Sequence, residues 1–487
     1  MTDRGADRDA KELAKFGYAQ LLARRVGGFA SFAISFSIIS ILTGVVTTFG
    51  VAIGGGGPAA LTFGWPLVSL GTLVVALAMA ELASAFPTAG ALYHWSALLG
   101  GRSWGWLTAM VNLVGQCAIV AAIDLGCAQT FVATAGMPKG ATLPVLGAIL
   151  ISHGILNAIS VRLVAWLNDF SATVHVVGVI AIVGALFMWG RAQPFSFARQ
   201  TGFTTRADHA YAIGFLNALL LGMWTFTGYD ASAHVSEETL DPARKAPRGI
   251  ISAVLVSAVA GYALVLALTL AIHDLPAVAA DSQPPLKIMR EALGERAGAA
   301  AMSLAILAMW FCGLSSVTSA SRMLFAFARD GGLPGSRALA YVHEGYKTPL
   351  LATLAAVVLP ALLVLGTSPF SDAVFLAVAS LATTGLYVSY AIPIALGIRA
   401  RLRGVWTVLG PWNLKRAGIL IAALATAWSA FVLVVCSLPP NTTAGLLLLA
   451  VLSAIAVLYV AFARGRFEGP KVSLTEFQTH KTTHDPA

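Results

Sequence analysis

Long apolar stretches separated by short polar segments make up most of the chain from residue 27 onward. A hydrocarbon core about 30 Å thick needs roughly 20 apolar residues per helix, and lipid offers no hydrogen-bond partner to an open backbone, so each stretch is predicted to be helical. The pattern therefore predicts an all-α membrane protein with about twelve transmembrane helices. We place these spans at residues 27–53, 60–84, 103–132, 142–160, 170–190, 210–235, 248–272, 298–327, 349–367, 371–397, 418–438 and 443–463.

The spans form one predicted transmembrane domain, residues 27–465, between two polar tails, residues 1–26 and 466–487. The first tail lacks the apolar core and cleavage site of a signal peptide, so we expect it to be retained. We expect both tails to be frayed. Twelve crossings return the chain to the side on which it started, so both tails are predicted to lie on the same side of the membrane.

Composition and charge support the membrane assignment. The chain is 57% hydrophobic and 11% charged, whereas a soluble domain carries about 25% charged residues. Most of the 31 Lys and Arg residues fall in the tails and in the loops on their side, which predicts cytoplasmic termini in a cytoplasmic (inner) membrane. This distribution also explains the net charge of +9, because the excess of Lys and Arg lies beside anionic lipid. The charge therefore does not indicate binding to nucleic acid.

The cysteines point to no cofactor or metal site. All four lie inside apolar stretches, as small buried side chains do, and their spacing fits neither a disulfide framework nor a metal cluster. No nucleophile–base arrangement of an enzyme accompanies them. The four are Cys117, Cys127, Cys312 and Cys436.

Two spans contain glycines in sequences that favour local unwinding. The first span includes residues 42–45 (LTGV) and the sixth includes residues 226–230 (FTGYD). Because a mid-helix Gly costs roughly 1 kcal/mol relative to Ala, we predict breaks at Gly44 and Gly228. Spans one to five (27–190) and six to ten (210–397) would then be repeats, inverted because each has an odd number of spans, with paired broken helices at a transport site. The alternative is that these glycines only permit close helix packing.

Four further stretches carry a family pattern. They are residues 36–40 (FSIIS), 80–90 (AELASAFPTAG, then Tyr93 and Trp95), 228–234 (GYDASAH, then Glu237, Glu238, Thr239 and Pro242) and 319–331 (SASRMLFAFARDG, then Leu333 and Pro334). The chain resembles the amino acid–polyamine–organocation permeases over residues 15–465, most of all the amino acid/choline branch that includes GABA permeases. The resemblance implies a leucine-transporter-type fold of two inverted five-helix repeats plus two peripheral helices at 418–463, and secondary transport of amino acids or amines.

The resemblance also implies a substrate site at the two breaks. Backbone amides without a helical partner at the break of the first span would hold a carboxylate, as helix N-termini do. Backbone carbonyls without a helical partner at the break of the sixth span would accept hydrogen bonds from an ammonium group. Trp224 matches an aromatic lid, or is an ordinary core aromatic. A carboxylate in the third span, Asp124, would pair with a substrate amine, or pairs internally. The substrate-binding set is thus Thr43, Gly44, Val45, Asp124, Trp224, Phe226, Thr227 and Gly228.

Two residues are candidates for proton coupling or gating. Asp230 is an ionisable group at membrane depth, which is usually functional; its alternative role is to hold the broken helix by a hydrogen bond. His175 matches a Lys that replaces sodium in some proton-coupled relatives, and its ordinary pKa of about 6.5 suits a proton switch; its alternative is a neutral core histidine. Ser315 and Ser316 remain possible sodium ligands.

These features predict an importer of an amino acid or an amine such as GABA, driven by protons and working by alternating access. The alternatives are a sodium-coupled or exchange carrier of choline or ethanolamine, and a nutrient sensor that does not transport. Ion pairs are expected to hold the inner gate, whereas His94, His153 and His234 are expected to be structural. The gate residues are Glu81, Glu237, Glu238, Asp241, Arg322 and Arg329. The sequence leaves the substrate, the coupling ion and the oligomeric state open.

Overall fold

The computed structural model describes residues 3–159, 161–205, 210–367, 374–437, 439 and 441–484, and within these ranges it contains helices and no strand. An isolated bridge pairs Val26 with Thr239. The helices are α1 (Asp3–Ala14), α2 (Gly28–Ile39), α3 (Ile41–Ala85), α4 (Leu92–Gly100), α5 (Arg102–Thr134), α6 (Thr142–Ile159), α7 (Val161–Ala185), α8 (Tyr211–Ala218), α9 (Leu220–Thr225), α10 (Ala231–His234), α11 (Pro242–Leu270), α12 (Leu275–Ala279), α13 (Pro284–Leu293), α14 (Glu295–Arg329), α15 (Ser336–Leu339), α16 (Leu350–Thr367), α17 (Val374–Leu402), α18 (Gly418–Ser437), α19 (Thr442–Leu458) and α20 (Leu474–His484).

Ten helical segments of the described chain are long and apolar enough to cross a membrane. The difference from the predicted twelve has two sources. The segment Gly28–Ala85 contains the first two predicted spans, because α3 continues through a bend at Gly57. The sixth predicted span is divided among α8, α9 and α10. The predicted span limits at residues 160, 371 and 438 lie outside the described residues.

The first span is broken, but at Ser40 rather than at Gly44. Ser40 separates α2 from α3 with left-handed backbone angles (φ 31°, ψ 82°), and its hydroxyl caps α3 by accepting from the Thr43 amide at 3.3 Å. Gly44 is helical, and its amide donates to the Ser40 carbonyl at 3.0 Å. A Cβ atom at Gly44 would overlap the side chain of Thr225, so this glycine permits close packing of α3 against α9.

The sixth span is broken at the predicted place. The helix α9 ends at Thr225, α10 begins at Ala231, and Gly228 between them has a φ of 80°. A side chain at Gly228 would overlap Ile38 at the end of α2. The hydroxyl of Ser35 donates to the Tyr229 carbonyl at 2.8 Å. The two breaks therefore lie side by side and share hydrogen bonds.

The tails are packed where the structure describes them, so the expectation that they fray is wrong. Phe16 and Phe477 stack with ring centroids 4.4 Å apart, and Phe477 also contacts Phe86 at the end of the second predicted span. Burial of these rings offsets the entropy of ordering the polar segments around them. The contact places both tails on one face of the molecule, which we call the tail face.

The bend in α3 provides a test of the packing. At Gly57 φ is 64°, and a Cβ atom there would lie 2.8 Å from the Phe203 Cβ. Left-handed backbone costs a non-glycine residue about 1–2 kcal/mol, so we expect Gly57→Ala to lower the melting temperature in detergent, measured by intrinsic fluorescence. The matched control is Gly147→Ala in α6, where nothing lies within 4 Å of the added atom. Equal melting temperatures for the two variants would contradict the described bend.

Candidate functional site

His175 is bonded directly to the residue that breaks the first span. Its Nε2 lies 2.8 Å from the Ser40 hydroxyl, and its Nδ1 lies 2.9 Å from the Ser171 carbonyl. A carbonyl oxygen only accepts, so Nδ1 carries a hydrogen and Nε2 is the atom that changes with protonation. The neutral ring accepts from Ser40, whereas the protonated ring donates to it. His175 is fully buried, so its protonation state determines the hydrogen bonding at this break.

Hydroxyl and thiol groups surround the same break. The Thr43 and Ser40 hydroxyls lie 2.5 Å apart, and the Cys312 thiol of α14 donates to the Ile38 carbonyl at 3.2 Å. The candidate sodium ligands Ser315 and Ser316 are on the next turn of α14. Their hydroxyls already contact protein oxygens, namely Asn168 Oδ1 at 2.6 Å and the Cys312 carbonyl at 2.8 Å. Within the described residues, no cluster of three or more His, Cys, Asp or Glu side chains could hold a metal ion.

Asp230 joins the second break to two other parts of the fold. Its Oδ1 accepts from the Tyr390 hydroxyl at 2.9 Å, and that hydroxyl accepts from the Gly228 amide at 3.2 Å. Its Oδ2 lies 3.1 Å from His234 Nε2, while His234 Nδ1 lies 3.1 Å from the Ala89 carbonyl. Because that carbonyl requires a hydrogen on Nδ1, a hydrogen bond at Nε2 needs one further proton, held by His234 or by Asp230. Tyr390 has no recognisable signal in the sequence of the tenth span.

The remaining predicted substrate residues line the second break in different ways. The Trp224 indole donates to the Thr47 hydroxyl at 3.3 Å, so this ring bridges the two broken spans. The Phe226 ring instead packs in the core, 5.0 Å from the ring of Trp65. The carbonyl of Trp224 accepts from the Thr227 hydroxyl at 2.8 Å. Within the described chain, the carbonyls of Phe226 and Thr227 have no such partner, so they are the acceptors open to a ligand.

Asp124 lies apart from this set of contacts. It is fully buried in α5, and its Oδ2 lies 3.1 Å from Nδ1 of His153 in α6. His94, His153 and His234, which the sequence suggested were structural, each contact an aspartate at 3.1 Å. The His94 and His153 pairs follow no spacing rule, because their partners lie far away in the chain, whereas His234 lies four residues after Asp230.

Buried ion pairs close the tail face. Arg322 pairs with Glu238 at 2.7 Å and Arg329 with Glu237 at 2.8 Å, so four of the predicted gate residues do form ion pairs with one another. Two predicted gate residues have other partners, because Glu81 pairs with Arg401 and Asp241 with Arg8. Burial alone would raise the pKa of Glu237, but the adjacent Arg329 guanidinium holds that pKa below its ordinary value of 4.5.

The first tail crosses this closed face and bonds to Asp330 at the end of α14. Asp330 accepts from Tyr18 and Tyr93 at 2.8 Å each and from His94 at 3.1 Å. Burial by itself would raise the pKa of Asp330, whereas the His94 hydrogen bond and the Arg329 charge hold it below its ordinary value. The Arg329 guanidinium also lies 3.9 Å from the centroid of the Tyr18 ring. Sequence reasoning missed Tyr18, since no local pattern links it to a residue so distant in the chain.

A cavity of about 300 Å³ lies at the opposite end of the broken spans. Its lining is uncharged and rich in glycine and amide groups, including Gly50, Gly54, Gly214, Asn217 and Asn441. The molecule is thus closed at the tail face and recessed at the other.

Long apolar helices, two adjacent breaks and buried ionisable groups define the class as a multi-pass helical membrane protein. A family model described as "Amino acid permease" matches residues 26–463. The chain is 35% identical to the amino-acid permease BAT1 of Arabidopsis thaliana, over 94% of this chain and 95% of the relative. A BAT1 homolog of Oryza sativa is 34% identical, with 96% and 97% covered. A GABA-specific permease of Saccharomyces cerevisiae is 30% identical, with 79% and 71% covered.

The chain belongs to the amino acid permease family of the amino acid–polyamine–organocation superfamily. Its relatives are permeases rather than enzymes, and the family's substrates are amino acids, so the resemblance inferred from the sequence is confirmed.

The Glu237–Arg329 pair gives a pH-dependent prediction. Removing one partner of a buried pair costs about 3–5 kcal/mol, so Glu237→Gln should melt well below wild type at pH 7. The pKa of Glu237 is lower in the folded protein than its ordinary value of 4.5. The ionised carboxylate therefore stabilises the fold above pH 4.5, and this stabilisation is lost as the pH falls through the folded-state pKa. The difference in melting temperature between wild type and Glu237→Gln should therefore narrow as the pH is lowered below 4.5.

The control is Glu291→Gln, whose partner Lys287 is at the surface. A difference that does not change with pH would contradict this assignment.

Proposed function

We propose that this permease imports an amino acid or a related amine such as GABA across the cytoplasmic membrane, coupled to protons, by alternating access. The observation that carries the proposal is the hydrogen bond between His175 and Ser40, at the break of the first span and beside the break of the sixth. We assign twelve spans in a leucine-transporter-type arrangement, with residues 27–190 and 210–397 as inverted repeats. The packing of both tails on one face supports an even number of crossings, and the charge bias supports a cytoplasmic location for that face.

The substrate is bound between the two breaks. Its carboxylate meets the N-terminal turn of α3, where the first amides of the helix and the helix dipole favour an anion. Because α3 begins at Ile41, this turn overlaps only the start of the predicted Thr43–Val45 element, and Gly44 acts by letting α3 approach α9. The ammonium group meets the carbonyls of Phe226 and Thr227 beside Gly228, and Trp224 covers it. We remove Asp124 from the predicted substrate-binding residues, because its carboxylate contacts His153 instead.

Protons drive the cycle through His175. Protonation at Nε2 reverses the hydrogen bond with Ser40 and so changes the cap of α3, next to the substrate carboxylate. The protonated imidazole supplies the positive charge that a sodium ion would supply at the same place. Asp230 acts as the gate, since it connects the second break to Tyr390 and, through His234, to the Ala89 carbonyl. The Arg322 and Arg329 pairs hold the tail face closed until the cycle opens it.

Counterflow in liposomes tests the carrier assignment. Purified protein is reconstituted with an unlabelled candidate inside, and entry of the labelled compound is followed without any ion gradient. The panel contains GABA, neutral and basic amino acids, choline and ethanolamine. We expect saturable counterflow of an amino acid or GABA. If only choline or ethanolamine shows counterflow, the substrate is one of these amines rather than an amino acid or GABA. Specific binding without counterflow would indicate a sensor.

The coupling role of His175 is tested with the substrate that counterflow identifies. A pH difference of about one unit supplies roughly 1.4 kcal/mol per proton, a tenfold concentration ratio. We expect His175→Gln to lower the accumulation ratio by about this factor while counterflow at symmetric pH persists. The control is His343→Gln, which makes the same change in a loop on the tail face. Accumulation driven by a sodium gradient and unaffected by His175→Gln would rule out this role.

A further inference from the structure

We propose that Asp124 and His153 form a second proton-binding site, which takes up and releases one proton during the cycle. The pair lies at the contact of α5, α6 and α14, whereas His175 belongs to α7. Both side chains are completely buried, and the carboxylate oxygen and ring nitrogen lie 3.1 Å apart. The proposal rests on the proposed function, because it assigns this site to transport by the same carrier.

The electrostatics require the two residues to share a proton. An isolated charge is strongly disfavoured in an apolar interior, and the described ion pairs give Asp124 no arginine or lysine partner. The neutral pair therefore holds one proton between the facing atoms, as Asp–HisH⁺ or as protonated Asp with neutral His. Loss of that proton leaves a net negative site, and gain of another leaves a positive one.

The other titratable groups around the pair do not compensate its charge. The neighbouring thiols of Cys127 and Cys312 donate to the carbonyls of Ile306 and Ile38. The facing helices α16 and α19 contain no ionisable side chain. Several ionisable groups on the remaining neighbouring helices bond elsewhere: Tyr93 and His94 to Asp330, His175 to Ser40, Tyr390 to Asp230, Tyr387 to Thr72, Glu81 to Arg401, Arg322 to Glu238 and Arg329 to Glu237. Arg102, Arg162, Arg296 and Arg399 lie near the ends of their helices. Asp169 of α7, whose Oδ1 has no partner within the described residues, and Cys117 of α5 have no described contact with the pair.

Each member of the pair also has a buried polar atom with no partner within the described chain. These atoms are Asp124 Oδ1 and His153 Nε2. A purely structural pair in a core normally satisfies its polar atoms, and an exception requires an explanation. In transporters, buried Asp and His residues serve as proton relays. The two open atoms allow the pair to change its protonation state, because they are available to accept or donate as the surroundings rearrange.

One turn of α14 links the pair to the substrate site. A Cβ atom at Gly313 would overlap Asp124 Oδ1 and lie 2.6 Å from His153 Cε1, so this glycine permits the close approach of the pair. The preceding residue, Cys312, donates to the Ile38 carbonyl beside the first break. A movement of the break that shifts α14 therefore changes the space at the pair. This contact couples substrate binding to proton release.

Proton-driven accumulation tests the proposal. With two coupled protons, a pH difference of about one unit supports an accumulation ratio of about a hundredfold, and each lost site lowers it about tenfold. We expect Asp124→Asn and His153→Gln each to lower the ratio by about this factor, and the double variant to lower it no further. Because Asn keeps the shape of Asp and a polar contact to His153, Asp124→Asn is the variant least disturbing to folding. Unchanged accumulation in both single variants, or additive losses in the double variant, would overturn the proposal.

A measurement without substrate tests the Asp124–His153 proton site independently of the proposed transport function. Infrared difference spectra of the protein in lipid, recorded between pH 5 and pH 9, report protonation of buried carboxyl and imidazole groups. We expect a carboxyl signal that Asp124→Asn removes, that His153→Gln shifts, and that the control His343→Gln leaves in place. Spectra identical in wild type and Asp124→Asn would overturn the proton site. If the spectra change as expected but wild type shows no counterflow, the proposed function fails and the titrating pair remains.

Discussion

The structure depends on one constraint, which is that backbone polar groups inside a membrane must find partners within the protein. A helix meets this demand by itself, so each break in a helix has to be supported by other residues. At Ser40 the hydroxyl caps α3 and contacts His175. At Gly228 the amide donates to Tyr390, which in turn donates to Asp230. Each break is thus supported by an ionisable group, His175 at the first and Asp230 at the second.

The hydrophobic pattern predicts the helices well because each span repeats the same physical requirement along some 20 residues. It also locates the break at Gly228, where a positive φ and the contact with Ile38 both need glycine. It misplaces the first break, because Gly44 and Ser40 look equally able to interrupt a helix and only packing distinguishes them. Gly44 faces Thr225 of α9, and no local sequence feature shows this.

The polar contacts of the site were less predictable than the helices, since they join residues distant in the chain. Nothing near Asp124 indicates His153, and nothing near Asp330 indicates Tyr18. Ion pairing among Arg322, Arg329, Glu237 and Glu238 was expected from the sequence, but neither the partners nor their burial could be predicted. Burial changes their meaning, because a buried charge without its partner is far more costly than an exposed one. The pairs on the tail face are consequently buried contacts rather than loose surface contacts.

In the proposed mechanism, a ligand with a carboxylate and an ammonium group sits between the breaks of the first and sixth spans. An experimental structure of the protein with the compound that counterflow identifies would show this directly. We expect the carboxylate at the N-terminal turn of α3, near Ile41 to Thr43, and the ammonium at the carbonyls of Phe226 and Thr227. Ligand density confined to the cavity near Asn217 and Asn441, with both breaks unoccupied, would contradict it.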